Sequence, residues 1–219
     1  MAVGRTLLFG LVVLAGLGAA GTALLGRTAV PAEAIARSVE RDPAAIERAW
    51  RLPAALAFER RIAWQSNASL CGPASLANVF RSLGEAAASE ASVLAGTGKC
   101  RLGFCVLGLT LDELAEVARA RAGRTVTVLR DLSAEEFRRH MRHANDPGRR
   151  YVVNFDRAAL FGAGVGHHSP IGGYLEAEDL VLVLDVNPAF GPWLVARSRL
   201  FSAVATRDGG KTRGLLLIE

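Results

Sequence analysis

The chain has 219 residues, 51% of them hydrophobic, and carries a formal net charge of +5. That length holds one ordinary globular core with residues to spare. Basic residues are scattered and often sit beside acids, as in Arg37-Ser38-Val39-Glu40-Arg41-Asp42. No basic stripe is interleaved with aromatics, which argues against a nucleic-acid partner. An acidic small molecule or an anionic membrane surface fits the charge at least as well.

Residues 7–26 are apolar and uncharged, between Arg5 and Arg27. About 20 such residues, rising about 1.5 Å each, cover about 30 Å of hydrocarbon. A run apolar on every face at the start of a chain is not the pattern of a core helix. It reads as an uncleaved transmembrane anchor or as a signal peptide, with Ala32-Glu33-Ala34 a late cleavage site. Residues 1–30 are thus expected to form that segment and 31–219 the folded domain. With Arg5 inside, the domain would be anchored on the inner membrane facing the periplasm, or exported there after cleavage.

Residues 31–60 are rich in Ala, Glu and Arg and are interrupted by Pro31, Pro43 and Pro53, which suits a linker and short helices. Residues 71–83 read as a helix closed by Gly84, and 89–95 as a shorter one. The Gly-rich stretch 96–108 carries Cys100 and Cys105 and reads as a loop. Thr110-Leu111-Asp112-Glu113 and Ser133-Ala134-Glu135-Glu136 are capping boxes opening two helices, to Gly123 and near His143. Between them 125–129 alternates like a strand. After the turn at Asn145-Asp146-Pro147-Gly148, strands are expected at 151–155, 171–175, 181–186, 193–196 and 214–218, the second and third joined by a hairpin at Glu176-Ala177-Glu178-Asp179. Helices first and strands second predict an α+β fold with an antiparallel sheet.

Cys71 opens the 71–83 helix after a polar loop, where the positive end of the helix dipole favours thiolate over thiol. A thiolate needs a base. The histidines are His140, His143, His167 and His168. His167 precedes one strand of the expected hairpin and Asp185 ends the other, so the two fall side by side. An acid can then orient the imidazole toward a thiol on a facing helix. Gln65 could offer its amide N–H to an oxyanion, with the Cys71 backbone N–H as second donor.

Gln65-Ser66-Asn67-Ala68-Ser69-Leu70-Cys71-Gly72-Pro73-Ala74-Ser75-Leu76 resembles the nucleophile segment of the phytochelatin synthase family. Gly164-Val165-Gly166-His167-His168-Ser169-Pro170-Ile171-Gly172-Gly173-Tyr174 resembles its GTGHFSPIGGY segment, and Leu182-Val183-Leu184-Asp185-Val186 its ILDV segment at the same offset. The resemblance runs from about Gln65 to Trp193 and implies a papain-like fold. It implies a catalytic domain at 31–219 that forms a γ-glutamylcysteinyl thioester from glutathione, releases glycine, and passes the acyl group to another glutathione or to water. It carries Cys71 over as nucleophile, His167 as base and acid, Asp185 as its orienter and Gln65 as oxyanion donor. His168 takes the place of the aromatic in GHFSP. Asn154 and Arg157 fall in the segment that resembles the substrate-lining one, where Arg157 suits a glutathione carboxylate.

These 219 residues show neither a Cys-rich segment nor adjacent cysteines like those of the plant enzymes, so the resemblance is to the short bacterial members and implies mainly hydrolysis of glutathione. No metal ligand set and no required cofactor is expected. Activation by Cd, Zn or Cu ions would act through metal–glutathione thiolates. In an oxidising compartment Cys100 and Cys105 are expected to pair. Two alternatives stay open: a peptidase of this fold cutting after Gly-Gly in exported peptides, and a non-catalytic metal-thiolate binding module.

Overall fold

The computed structural model describes residues 29–101 and 103–219. The helices are α1 (Ala32–Ser38), α2 (Pro43–Trp50), α3 (Pro53–Leu56), α4 (Cys71–Ser82), α5 (Glu90–Leu94), α6 (Leu111–Arg119), α7 (Ala134–His143), α8 (Arg157–Phe161) and α9 (Arg197–Val204). The strands are β1 (Val126–Leu129), β2 (Arg150–Asp156), β3 (Gly166–Leu175), β4 (Leu180–Leu184), β5 (Pro192–Ala196), β6 (Arg207–Asp208), β7 (Lys211–Thr212) and β8 (Gly214–Ile218). Six strands form one sheet in the order β1-β8-β2-β3-β4-β5, and all its pairings are antiparallel. β6 and β7 form a separate small hairpin.

Local chemistry explains where the helices start. The Asp42 carboxylate accepts from the Ala45 N–H ahead of α2, with Pro43 at its first position, where a missing N–H costs nothing. Thr110 with Glu113 and Ser133 with Glu136 form the two expected capping boxes ahead of α6 and α7. Helix α4 differs: no side chain caps it, and its first turn holds no acid. Its terminal N–H groups and positive dipole end therefore stay available to the group that opens it, Cys71.

The sheet is buried on both faces, and period-2 alternation sorts its residues. Val152, Leu182, Leu184, Leu194 and Leu216 pack with Trp50, Phe58, Leu76, Phe80 and Leu114 from the earlier helices. Tyr151, Val153, Phe155, Val183 and Trp193 face the other way, onto Phe137, Met141, Leu160 and Leu200 of α7, α8 and α9. The expected α+β fold holds, but the helices are not all on one side. Helices α8 and α9 carry only short apolar runs and were not foreseen. They cover the second face, which a sheet of such apolar strands cannot leave in water.

Two further expectations change. Strand β3 starts at Gly166 rather than 171, so both histidines of the doublet lie inside it. His167 is opposite Phe155 and His168 opposite Asn154 on β2. The second correction concerns the membrane. Among the described residues no helix is long and apolar enough to cross one, and the run 7–26 lies outside the described residues. The expected anchor or signal helix, the membrane as partner and the periplasmic location are therefore dropped.

Candidate active site

Cys71 is the first residue of α4 and is 6% exposed. Two buried polar side chains of this helix fix its placement. The Ser75 hydroxyl lies 2.7 Å from the Cys71 carbonyl and 3.0 Å from that of His168, tying the first turn of α4 to β3. Asn78 accepts from the Ala63 N–H and donates to the Ala63 and Ala74 carbonyls, all at 2.8 Å. That pins the segment leading to Gln65 against the same helix. At the far end, buried Arg150 donates to the Ser82 hydroxyl at 2.9 Å and to the Ser82 carbonyl at 3.3 Å. Burial without an acidic partner pulls its guanidinium down to about 10. None of these three residues was singled out in the sequence. A polar residue on the otherwise apolar face of a helix is the signal that marks Ser75 and Asn78.

Asp185 follows β4 directly, in the hairpin position expected, and is fully buried. His167 Nε2 lies 2.9 Å from its Oδ1. One Arg157 nitrogen donates to both oxygens, at 2.9 and 2.8 Å. The Asn187 backbone N–H donates to Oδ1 at 2.9 Å, and the Trp193 indole approaches Oδ2 at 3.4 Å. Burial alone would raise this carboxyl, but the charges of His167 and Arg157 and the hydrogen bonds outweigh it and hold it down at about 2. The Phe155 ring stands edge-on to His167, with centroids 5.6 Å apart.

The same contest decides the other two members. For His167 burial disfavours the charged ring, yet the Asp185 carboxylate, with help from Cys71, raises it above the ordinary histidine range. For Cys71 burial disfavours the thiolate, but the His167 charge beside it, with hydrogen bonds from His167 and His168, holds the thiol well below its usual value. A thiolate–imidazolium pair with a carboxylate behind it is an activated nucleophile.

Gln65 lies in the loop ahead of α4, its backbone N–H donating to the Val186 carbonyl at 2.8 Å. Its side-chain amide donates to the Asn67 carbonyl at 3.0 Å, across its own turn. Arg157 is placed differently from the expectation. It is only 8% exposed, stacked 3.8 Å over the Phe190 ring, and the carboxylate it grips is Asp185 rather than one from solvent. Asn154 is likewise turned inward. Its amide meets His168 Nε2 at 2.7 Å, and its oxygen accepts from Arg213 at 2.8 Å.

Two glycines of the Gly162-Ala163-Gly164-Val165-Gly166 segment are required by these contacts. A Cβ on Gly164 would lie 2.8 Å from the Arg157 Cβ, at a backbone φ of +104°. One on Gly166 would press on the Arg213 guanidinium, 2.9 Å from its Cζ.

Cys100 and Cys105 form a disulfide, and Cys71 is the free thiol. The disulfide loop rests on the approach to the nucleophile. Asn67 donates to the Gly103 carbonyl at 2.9 Å, and the Cys105 N–H donates to the Ser69 hydroxyl at 3.1 Å. Among the described residues no group of three or more His, Cys, Asp or Glu could hold a metal ion. Activation by Cd, Zn or Cu and the metal-thiolate module are therefore dropped as well.

Known proteins resemble this chain in fold and in sequence. The peptidase domain of Streptococcus ComA, described as a bi-functional ABC transporter of a quorum-sensing pathway, matches at 17% identity. The match covers 72% of this chain and 96% of that one, with a TM-score of 0.50. A putative C39-like peptidase from Bacillus anthracis matches at 11% identity over 74% of this chain and 95% of its own, with a TM-score of 0.54. At such identities the likeness is one of fold, that of the papain-like peptidases. In sequence, glutathione gamma-glutamylcysteinyltransferase of Schizosaccharomyces pombe is 31% identical over 51% of this chain and 28% of its own length. Glutathione gamma-glutamylcysteinyltransferase 3 of Lotus japonicus is 34% identical over 52% of this chain and 25% of its own. The chain thus spans about a quarter of the length of these curated relatives. A family model described as phytochelatin synthase matches residues 25–215, and the chain belongs to that family.

Proposed function

We propose that this protein is a thiol-dependent acyltransferase or peptidase that cleaves the Cys–Gly bond of glutathione. The observation that carries the reading is the buried set Cys71, His167 and Asp185 in a member of this family. The Cys71 thiolate adds to the Cys–Gly carbonyl carbon, and the electron pair moves to the oxygen. The Cys71 backbone N–H at the uncapped start of α4 and the Gln65 amide receive that oxyanion. As the intermediate collapses, the C–N bond breaks and the His167 imidazolium gives its proton to the departing glycine nitrogen. The γ-glutamylcysteinyl group stays on Cys71 as a thioester. His167, now neutral, removes a proton from water or from the free amino group of a second glutathione as it attacks the thioester carbonyl. That nucleophile displaces the Cys71 thiolate and closes the cycle. Asp185 keeps its charge throughout and fixes the imidazole.

Glycine release from glutathione tests the reading. The whole chain should release it, and Cys71→Ala and His167→Ala should lower the rate by at least about 10³-fold, the size of effect that loss of a nucleophile or its base produces. Release that persists in Cys71→Ala at the original rate overturns the mechanism.

A further inference from the structure

The histidine after His167 is buried, as it is, but its ring nitrogens meet Cys71 and Asn154 rather than Asp185. Its Nδ1 lies 3.8 Å from the Cys71 sulfur, and its Nε2 lies 2.7 Å from the Asn154 amide. The direction of these bonds follows from one residue that can only donate. Arg213 has no acceptor atom, and its nitrogen 2.8 Å from Asn154 fixes the atom it meets as the oxygen. The Asn154 NH₂ therefore faces His168, and Nε2 must accept. A neutral His168 then carries its hydrogen on Nδ1, the nitrogen turned toward sulfur. Arg213 is itself 9% exposed and held by Asp208 at 3.3 Å. Gly166 leaves the space its guanidinium occupies.

We propose that His168 is a second catalytic histidine, an Nδ1–H donor to the Cys71 thiolate, with its tautomer set by Asn154 and Arg213. His167 supplies the charge and the proton; His168 supplies a further, fixed hydrogen bond to the sulfur. His167 is backed by Asp185, which Arg157 grips, and His168 by Asn154, which Arg213 and through it Asp208 hold. A donor held on sulfur stabilises the thiolate before attack and again when it leaves the thioester.

This rests on Cys71 being the nucleophile, and the test reads the thiolate without any substrate. The rate of iodoacetamide alkylation at Cys71, located by peptide mass, is followed against pH in the whole chain with its disulfide intact. His168→Phe keeps an aromatic of similar size and removes the donor. It should move the alkylation midpoint upward by about one pH unit, the effect of one hydrogen bond to a charged group. His168→Asn keeps an N–H near the position of Nδ1 and should restore the midpoint to near the wild-type value. A packing role predicts the reverse order, Phe tolerated and Asn harmful, and that order overturns the proposal. A second readout needs no variant: two-bond ¹H–¹⁵N spectra of the imidazoles should show His168 protonated on Nδ1 and bare on Nε2. The opposite tautomer overturns the proposal too. A normal alkylation profile without glycine release from glutathione would count against the substrate and not against His168.

Discussion

Asp185 is a fully buried carboxylate with His167, Arg157, Asn187 and Trp193 around it. Its place was legible in the sequence because a short hairpin brings the end of β4 back beside the start of β3. The role of Arg157 was not, because a strand gives no sign of which carboxylate a following arginine will meet. Breaking a buried charge pair leaves one charge unpaired, so Arg157→Met should lower stability by about 3–5 kcal/mol in urea or guanidinium unfolding. The signs of the pKa shifts set two pH windows. Asp185 is held at about 2 against an ordinary 3.8. It therefore stabilises the fold above the ordinary value, and that contribution is lost as pH falls toward 2. His167 is raised above 6.5, so its contribution is present below that value and fades as pH climbs through its folded pKa. For catalysis the lowered thiol and the raised imidazole define a plateau between them. The rate should rise as Cys71 ionises and fall as His167 deprotonates, giving a bell in kcat/KM, the acid limb of which should move upward in His168→Phe.

Among the elements, α4 is the one the site depends on. Its apolar run and the Cys71 start were readable from residue type and spacing, as were the capping boxes of α6 and α7. The contacts that aim it were not, because they join segments far apart in the chain. Arg150 closes the carboxyl end of α4 from β2, and Ser75 joins its first turn to β3. Arg150→Ala should cost about 3 kcal/mol, the loss of charge-assisted hydrogen bonds to buried acceptors, measured as a lowered unfolding midpoint. Strand β3 shows how a local reading mislays an edge. Gly164, Gly166 and Pro170 suggest a loop, yet pairing with β2 extends the strand to Gly166. That pairing brings Asn154 opposite His168. The loop 96–108 is held by its disulfide, and thiol titration of unreduced, denatured protein should count one free group per chain. A Cys100→Ser, Cys105→Ser variant should be less stable by about 2 kcal/mol, the entropy of closing so short a loop.

Over the whole molecule, the sheet acts as the plate on which the site is mounted. Helix α4 presents the nucleophile on one face, and α7, α8 and α9 seal the other. The α+β class followed from the order of elements along the chain. The second helical layer did not, because strands such as β4, apolar at every position, do not say what covers each face. The charge relations are likewise a whole-molecule property. Arg213, the residue just before β8, reaches Asn154, and Asn154 reaches the doubled histidine. The account stands on the acyl group being carried by Cys71. Intact mass spectrometry of the whole chain, quenched in acid during turnover of glutathione, reads that directly. The wild-type protein should gain the mass of one γ-glutamylcysteinyl group, located on the peptide containing Cys71, and Cys71→Ser should show none under the same quench. An unmodified wild-type chain during steady glycine release, or the same adduct on a peptide lacking Cys71, would contradict it.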